Sequence, residues 1–282
     1  RRYQKGLRRM VRDGLQGLSR LMKKASLAGA FFVSAIWLGA AQAQCPLPQG
    51  LASAQVRQVV DGDTVRLDDG RSVRLIGINA PEIGRKGRTS EPYAEAARQR
   101  LQALVAQSDG RVRVALGQEP RDRYGRTLAH LYGANDRNLE EQLLAEGLGY
   151  QVAIAPNVSL VNCLQAAEDR ARQARLGVWR QSPVVSASQL RQSGFALVSG
   201  RVAKVQRNGG GLWIDVEGGL VLRIAPNSLS RFDSAALSKL PGQQIEVRGW
   251  VLDRSRRGGL QAGQARWLLN LTDPGMFKQL SD

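Results

Sequence analysis

Three short runs carry the residue types that could do chemistry. They are Asp61-Gly62-Asp63-Thr64-Val65, Arg74-Leu75-Ile76-Gly77-Ile78-Asn79-Ala80-Pro81-Glu82 and Asp122-Arg123-Tyr124-Gly125-Arg126. Carboxylates two residues apart in extended chain project to one side. Asp61 and Asp63 are therefore candidate ligands for a hard cation such as Ca²⁺ or Mg²⁺, and zinc is disfavoured. The triplet by itself is weak, since most Asp-Gly-Asp sequences are turns, and the missing distal Glu argues against an EF-hand. Glu82 follows Pro81 at a bend, where a carboxylate can face a pocket and act as general base on water. Arg74 and Arg126 each offer a planar fork to phosphate oxygens. Fixed arginines and a metal stabilise the charge that grows on those oxygens during attack.

The charge balance points the same way. The 282 residues carry a formal charge of +17, which suits a polyanionic partner: nucleic acid, another polyanion or an anionic membrane surface. An arginine-rich surface without such a partner is the plain alternative. Part of the charge sits in an N-terminal segment that reads as a signal peptide. Met22-Lys23-Lys24 precedes an uncharged run to Ala43 that ends in Ala41-Gln42-Ala43, an A-x-A pattern. Its apolar core is shorter than the roughly 20 residues a spanning helix needs. Cleavage after residue 43 removes nine Lys or Arg and one Asp, leaving +9. It predicts a periplasmic or secreted protein with no stable membrane association; an inner-membrane anchor is the alternative. Cys45 and Cys163 are the only cysteines, and an even count in an exported protein suggests one disulfide, against two buried free thiols.

The elements that must position these groups fall into two patterns. Val56–Leu67 and Ser72–Ile78 read as strands joined at Asp69-Gly70, a type I′ turn signal. Arg111–Leu116 and Thr127–Tyr132 are further strands. Helical spacing covers Pro92–Ala106, Asn138–Glu146 and Ser159–Ala174, with Asn138 as N-cap and Gly147 as C-cap. Strands followed by helices favour an α+β fold. Residues 181–193, rich in Ser and Gln, read as a linker. Beyond it come five strands: Ala196–Val205, Leu212–Val216, Leu220–Ile224, Ile245–Leu252 and Ala265–Leu271. Several of them are separated by Gly-rich turns such as Gly209-Gly210-Gly211 and Gly258-Gly259, and a helix near Ser234–Leu240 interrupts the series. That spacing suits a small OB-like barrel.

The three runs, with Pro156-Asn157, Ala167-Glu168 and Gly177-Val178-Trp179, make residues 56–180 closely resemble the staphylococcal-nuclease-like (thermonuclease) domain. The resemblance implies an OB-type five-stranded barrel with packed helices, and Ca²⁺-dependent hydrolysis of DNA and RNA. Carried over by position, Asp63 is a metal ligand with Asp61 close behind it. Arg74 and Arg126 hold the phosphate, and Glu82 acts as base through a metal-bound water. Tyr124 and Arg123 fall in the same substrate-binding run. Asn79 stands where the family pattern usually has a second ligating Asp, so the site has one negative charge fewer. Val152 stands where some members place a tyrosine over the base.

His130 is the only histidine, which excludes mechanisms needing two and favours a structural role. Serine triads, cysteine dyads and P-loop or dinucleotide signatures are not found. In the last barrel, Arg248 and Trp250 share a face opposite Ile245, Val247 and Val251. With Arg254, Arg256 and Arg257 nearby, that face reads as a single-strand nucleic-acid surface; packing against the nuclease domain is the competing reading. The expected organisation is a signal peptide at 1–43, a nuclease-like domain at 44–180, a linker at 181–193 and an OB-like domain at 194–282. The expected function is an exported metal-dependent nuclease. Its rivals are a non-catalytic nucleic-acid-binding protein on a degenerate barrel and an envelope protein binding acidic polysaccharide.

Overall fold

A computed structural model describes residues 44–256 and 260–280. The expected signal peptide, residues 1–43, lies outside the described residues, as do Arg257 and the Gly258-Gly259 turn.

Strands β1 (Ala52–Val59), β2 (Thr64–Leu67) and β3 (Ser72–Leu75) open the first barrel. A two-residue strand β4 (Ile78–Asn79) and helix α1 (Ala94–Ala106) follow. Strands β5 (Arg111–Arg121) and β6 (Thr127–Tyr132) close it in the order β1-β2-β3-β6-β5. Period-two burial drives this arrangement: Val65, Leu67, Val73 and Leu75 point into the core, while Arg66 and Arg74 alternate outward. Helix α2 (Leu139–Ala145), strand β7 (Tyr150–Gln151) and helix α3 (Val161–Gln173) complete this half.

Local signals set the ends of α2. The Asn138 side chain accepts a hydrogen bond from the Glu141 amide at 2.7 Å, and Gly147 takes a left-handed φ of 70°. The Gly147 and Leu148 amides then bond the Leu144 and Leu143 carbonyls, which is a Schellman ending.

Three expectations for the first half are corrected; in the first, Ser72–Ile78 divides into β3 and β4, and β4 pairs with β7 outside the barrel. Val56–Leu67 is not one strand: β1 ends at Val59, and the chain turns through Asp61-Gly62-Asp63. There the Asp61 carboxylate accepts from the Asp63 amide at 3.1 Å, a local bond that competes with the ladder. The Asp69-Gly70 turn is not type I′, because only Gly70 has positive φ, at 89°. Its amide reaches the Leu67 carbonyl, and the Asp69 side chain accepts from the Arg71 amide instead.

Residues 181–193, read as a linker, contribute a short strand β8 (Val184–Ser186), which pairs in parallel with β9 (Gly194–Asn208). Strands β10 (Gly211–Val216), β11 (Leu220–Ile224), a one-turn helix α4 (Ser234–Ser238), β12 (Gln244–Asp253), β13 (Trp267–Leu271) and β14 (Phe277–Gln279) follow. The order β12-β13-β11-β10-β9 closes through a β12–β9 pairing. In both barrels the third and fifth strands run parallel, β3 with β6 and β11 with β13. The fold is therefore α+β, with an OB-type barrel followed by a second one.

Cys45 and Cys163 form a disulfide that spans 118 residues and ties the first described segment to α3. Replacing both cysteines by serine should lower stability by about 3–5 kcal/mol. Denaturant unfolding with and without reductant measures this, and the double variant should no longer respond to reductant.

Candidate active site

The site is built at the corner where β2, β3 and β4 meet. Gly62 lets the Asp61–Asp63 turn press against α1: a Cβ there would stand 2.6 Å from the Cβ atoms of both Ala80 and Ala97. The turn places Asp63 in a buried position. Its Oδ1 accepts from the Thr64 hydroxyl at 3.1 Å, and its Oδ2 from the Ala80 amide at 2.8 Å.

Arg74, on β3, gathers the rest. One guanidinium nitrogen donates to the Leu75 and Ile78 carbonyls at 2.7 and 2.8 Å. The other pairs with Asp63 Oδ2 at 2.9 Å and donates to Asn79 Oδ1 at 3.2 Å. Burial pushes the Asp63 carboxyl up to about 6; Arg74 pulls it down, while Asp61 and Glu82 push it further up. Glu82 is exposed at the rim of the site, and its loop is closed by Glu91, whose carboxylate accepts from the Glu82 amide at 2.9 Å. Its carboxyl is crowded all the same: desolvation, then the Asp61 charge, raises it from its ordinary value. Arg85 lies 3.8 Å from Asp61 Oδ2.

Asp61, Asp63, Arg74, Asn79 and Glu82 thus come together. Asp61 and Asp63 do so through a turn, not through strand alternation. Arg126 stands apart from them in its bonding. Its Nε donates to Asp122 Oδ2 at 2.7 Å, and it enters β6 beside β3, where Thr127 pairs with Val73. Burial raises the Asp122 carboxyl, but the hydrogen bonds from Arg126 and Tyr124 outweigh it and hold the group low. Gly125, with φ 80°, closes this turn. Tyr124 is exposed, and its hydroxyl accepts from Arg123 at 2.6 Å.

All the candidate ligand atoms are oxygens, and Asp61 raises the carboxyls of both Asp63 and Glu82, a repulsion that a hard divalent cation would relieve. Among the described residues no three His, Cys, Asp or Glu side chains form a ligand cluster. Asp63 and the Asn79 amide oxygen, with Asp61 behind them, are the oxygen donors that would hold such an ion; in the structure Asp63 Oδ2 and Asn79 Oδ1 are both engaged by Arg74.

Other matched motifs have structural work. The Asn157 side chain bonds the Glu119 amide and carbonyl, both at 2.9 Å. His130 is buried against Glu140, 3.2 Å away. Val152 is buried, so it offers no surface to a base.

Arg248 corrects an expectation. It does not sit on an open substrate face but is 8% exposed. It pairs with Glu168 of α3, donates to the Gln151 carbonyl at 3.1 Å and lies 3.4 Å from Glu246. Arg172 grips Glu246 with two bonds of 2.8 and 2.7 Å. Alternation placed Arg248 opposite the barrel core, but α3 and β7 supply its partners there. Trp250, on the same face, remains 40% exposed. Sequence reasoning missed Glu91, Arg85 and the Glu168 pairing; the Ala167-Glu168 motif was the available signal for the last.

An OB-type barrel with carboxylates, an amide and an arginine at one corner defines the class. A family profile described as "Staphylococcal nuclease homologue" matches residues 72–181. The thermonuclease of Staphylococcus intermedius is 33% identical over 129 residues, covering 45% of this chain and 75% of that protein. That of Staphylococcus hyicus is 29% identical over 128 residues, covering 44% and 74%. Endonuclease YncB of Bacillus subtilis (strain 168) is 28% identical over 141 residues, covering 48% and 65%. The chain belongs to the staphylococcal nuclease family. The family match ends before β9, so the second barrel lies outside it.

Replacing Arg248 with methionine leaves Glu168 buried and unpaired, and should cost about 3–5 kcal/mol in denaturant unfolding. Adding Glu168→Gln should recover most of that loss.

Proposed function

We propose that the protein is an exported, metal-dependent nuclease acting on DNA, RNA or both. Its family makes it a nuclease, a hydrolase of phosphodiester bonds. The observation that carries the finer reading is the joining of Asp63, Arg74 and Asn79 at one corner, with Glu82 in the same electrostatic field. In this reading Glu82 takes the proton from the attacking water, its raised pKa bringing it closer to neutral pH. In the same reading Arg126 bonds the phosphate, and Arg74 orients Asp63 and Asn79 and adds positive charge beside it. A Ca²⁺ or Mg²⁺ held by Asp63 and Asn79 would supply charge neutralisation at phosphate and would make a water more acidic. Export is supported by Met22-Lys23-Lys24, the apolar run and Ala41-Gln42-Ala43, and by the Cys45–Cys163 disulfide. A mature N-terminus near Gln44, read by mass spectrometry, is its test.

Incubation with plasmid and single-stranded DNA should give cleavage with Ca²⁺ or Mg²⁺ and none with EDTA. Glu82→Gln should reduce kcat by roughly 10²–10⁴-fold. Nucleic-acid binding without metal-dependent cleavage would instead indicate a non-catalytic binding protein. Asn79→Asp adds a ligand charge and should tighten Ca²⁺ binding on the order of tenfold by calorimetry; unchanged affinity would remove Asn79 from the cation site.

A further inference from the structure

A cleft of about 1090 Å³ begins at Asn79 and Glu82 and runs to Phe195 and Trp250 of the second barrel. It exceeds the range of about 300–1,000 Å³ usual for small-molecule sites. Its wall is a chain of aromatic rings. Tyr150 and Phe195 lie 5.6 Å apart between centroids, tilted by 35°, and Phe195 and Trp250 lie 5.2 Å apart at 64°. Trp250 keeps 40% of its surface exposed. Arg180 and Arg191 line the same cleft, are exposed, and have no acidic partner among the described residues. The acids on the lining, Glu82 and Glu91, sit at the catalytic end.

We propose that this cleft binds a single strand of nucleic acid, leading it from Glu82 across the Tyr150–Phe195–Trp250 rings to the second barrel. The inference rests on the nuclease reading for its substrate class, but its evidence is the cleft itself. Unpaired bases stack on Trp250, the exposed ring of the three, with the half-buried Tyr150 and Phe195 beside it, and the arginines neutralise the backbone alongside. A duplex keeps its bases paired and gains little from the rings. The second barrel thereby lengthens the strand that is gripped beyond what the first barrel alone can hold.

Binding is measured on the full mature chain in EDTA with a Glu82→Gln background, so that it is read apart from cleavage. Fluorescence anisotropy uses a labelled single strand of roughly 15 nucleotides and the matching duplex. Trp250→Leu keeps an apolar contact with Phe195 but removes the ring. It should weaken single-strand binding about tenfold and duplex binding less than about threefold. Unchanged single-strand affinity, or equal loss on both substrates, overturns the proposal. Photo-crosslinking of a bromouracil-containing strand to the unsubstituted chain gives a second measurement that needs no variant. Crosslinks at Tyr150, Phe195 or Trp250 support the cleft, and crosslinks confined to other surfaces overturn it. Failure of wild-type cleavage with these crosslinks present would sink the nuclease reading alone.

Discussion

The guanidinium of Arg74 is the contact on which the candidate site depends. It bonds two carbonyls of the β3–β4 turn and, through its other nitrogen, Asp63 and Asn79. Without it, a buried carboxylate would face the Asp61 and Glu82 charges with only backbone and hydroxyl donors. A charged donor with fixed fork geometry can join ladder ends and ligand atoms at once, which a lysine cannot do.

This corner is mechanically continuous with the second barrel. Asn79 and Ile78 pair with Tyr150 and Gln151. The Gln151 amide donates to Glu168 at 2.7 Å, and Glu168 pairs with Arg248 on β12. The buried glutamate of the family-matched half thus joins the β4–β7 ribbon to a barrel outside the match. Such an ion pair adds little net stability against an apolar alternative, but removing one partner is costly. It fixes how the barrels meet, and that meeting forms the cleft.

Both barrels reach the same strand order. Each closes by pairing its first strand with its fourth and its third with its fifth. Closure removes exposed sheet edges. In the first barrel the β1–β2 turn, β3 and the connection after it bring the candidate site residues together; in the second, β9 and β12 present Phe195 and Trp250 toward the first.

The sequence by itself determined most of the strand and helix pattern, the Asn138 cap and the candidate chemistry, because these depend on local periodicity and on motifs of fixed spacing; it left the cysteines open between one disulfide and two free thiols, and the structure pairs Cys45 with Cys163. Leu220–Ile224 and Thr127–Tyr132 were legible to the residue. The turn at Asp61-Gly62-Asp63 was not, since one side-chain bond displaced a strand ladder there. Nor could alternation along β12 say whether Arg248 met solvent or Glu168, because burial depends on what packs across from a face. Only the tertiary structure decided that Arg248 locks the barrels while Trp250, two residues on, faces the cleft.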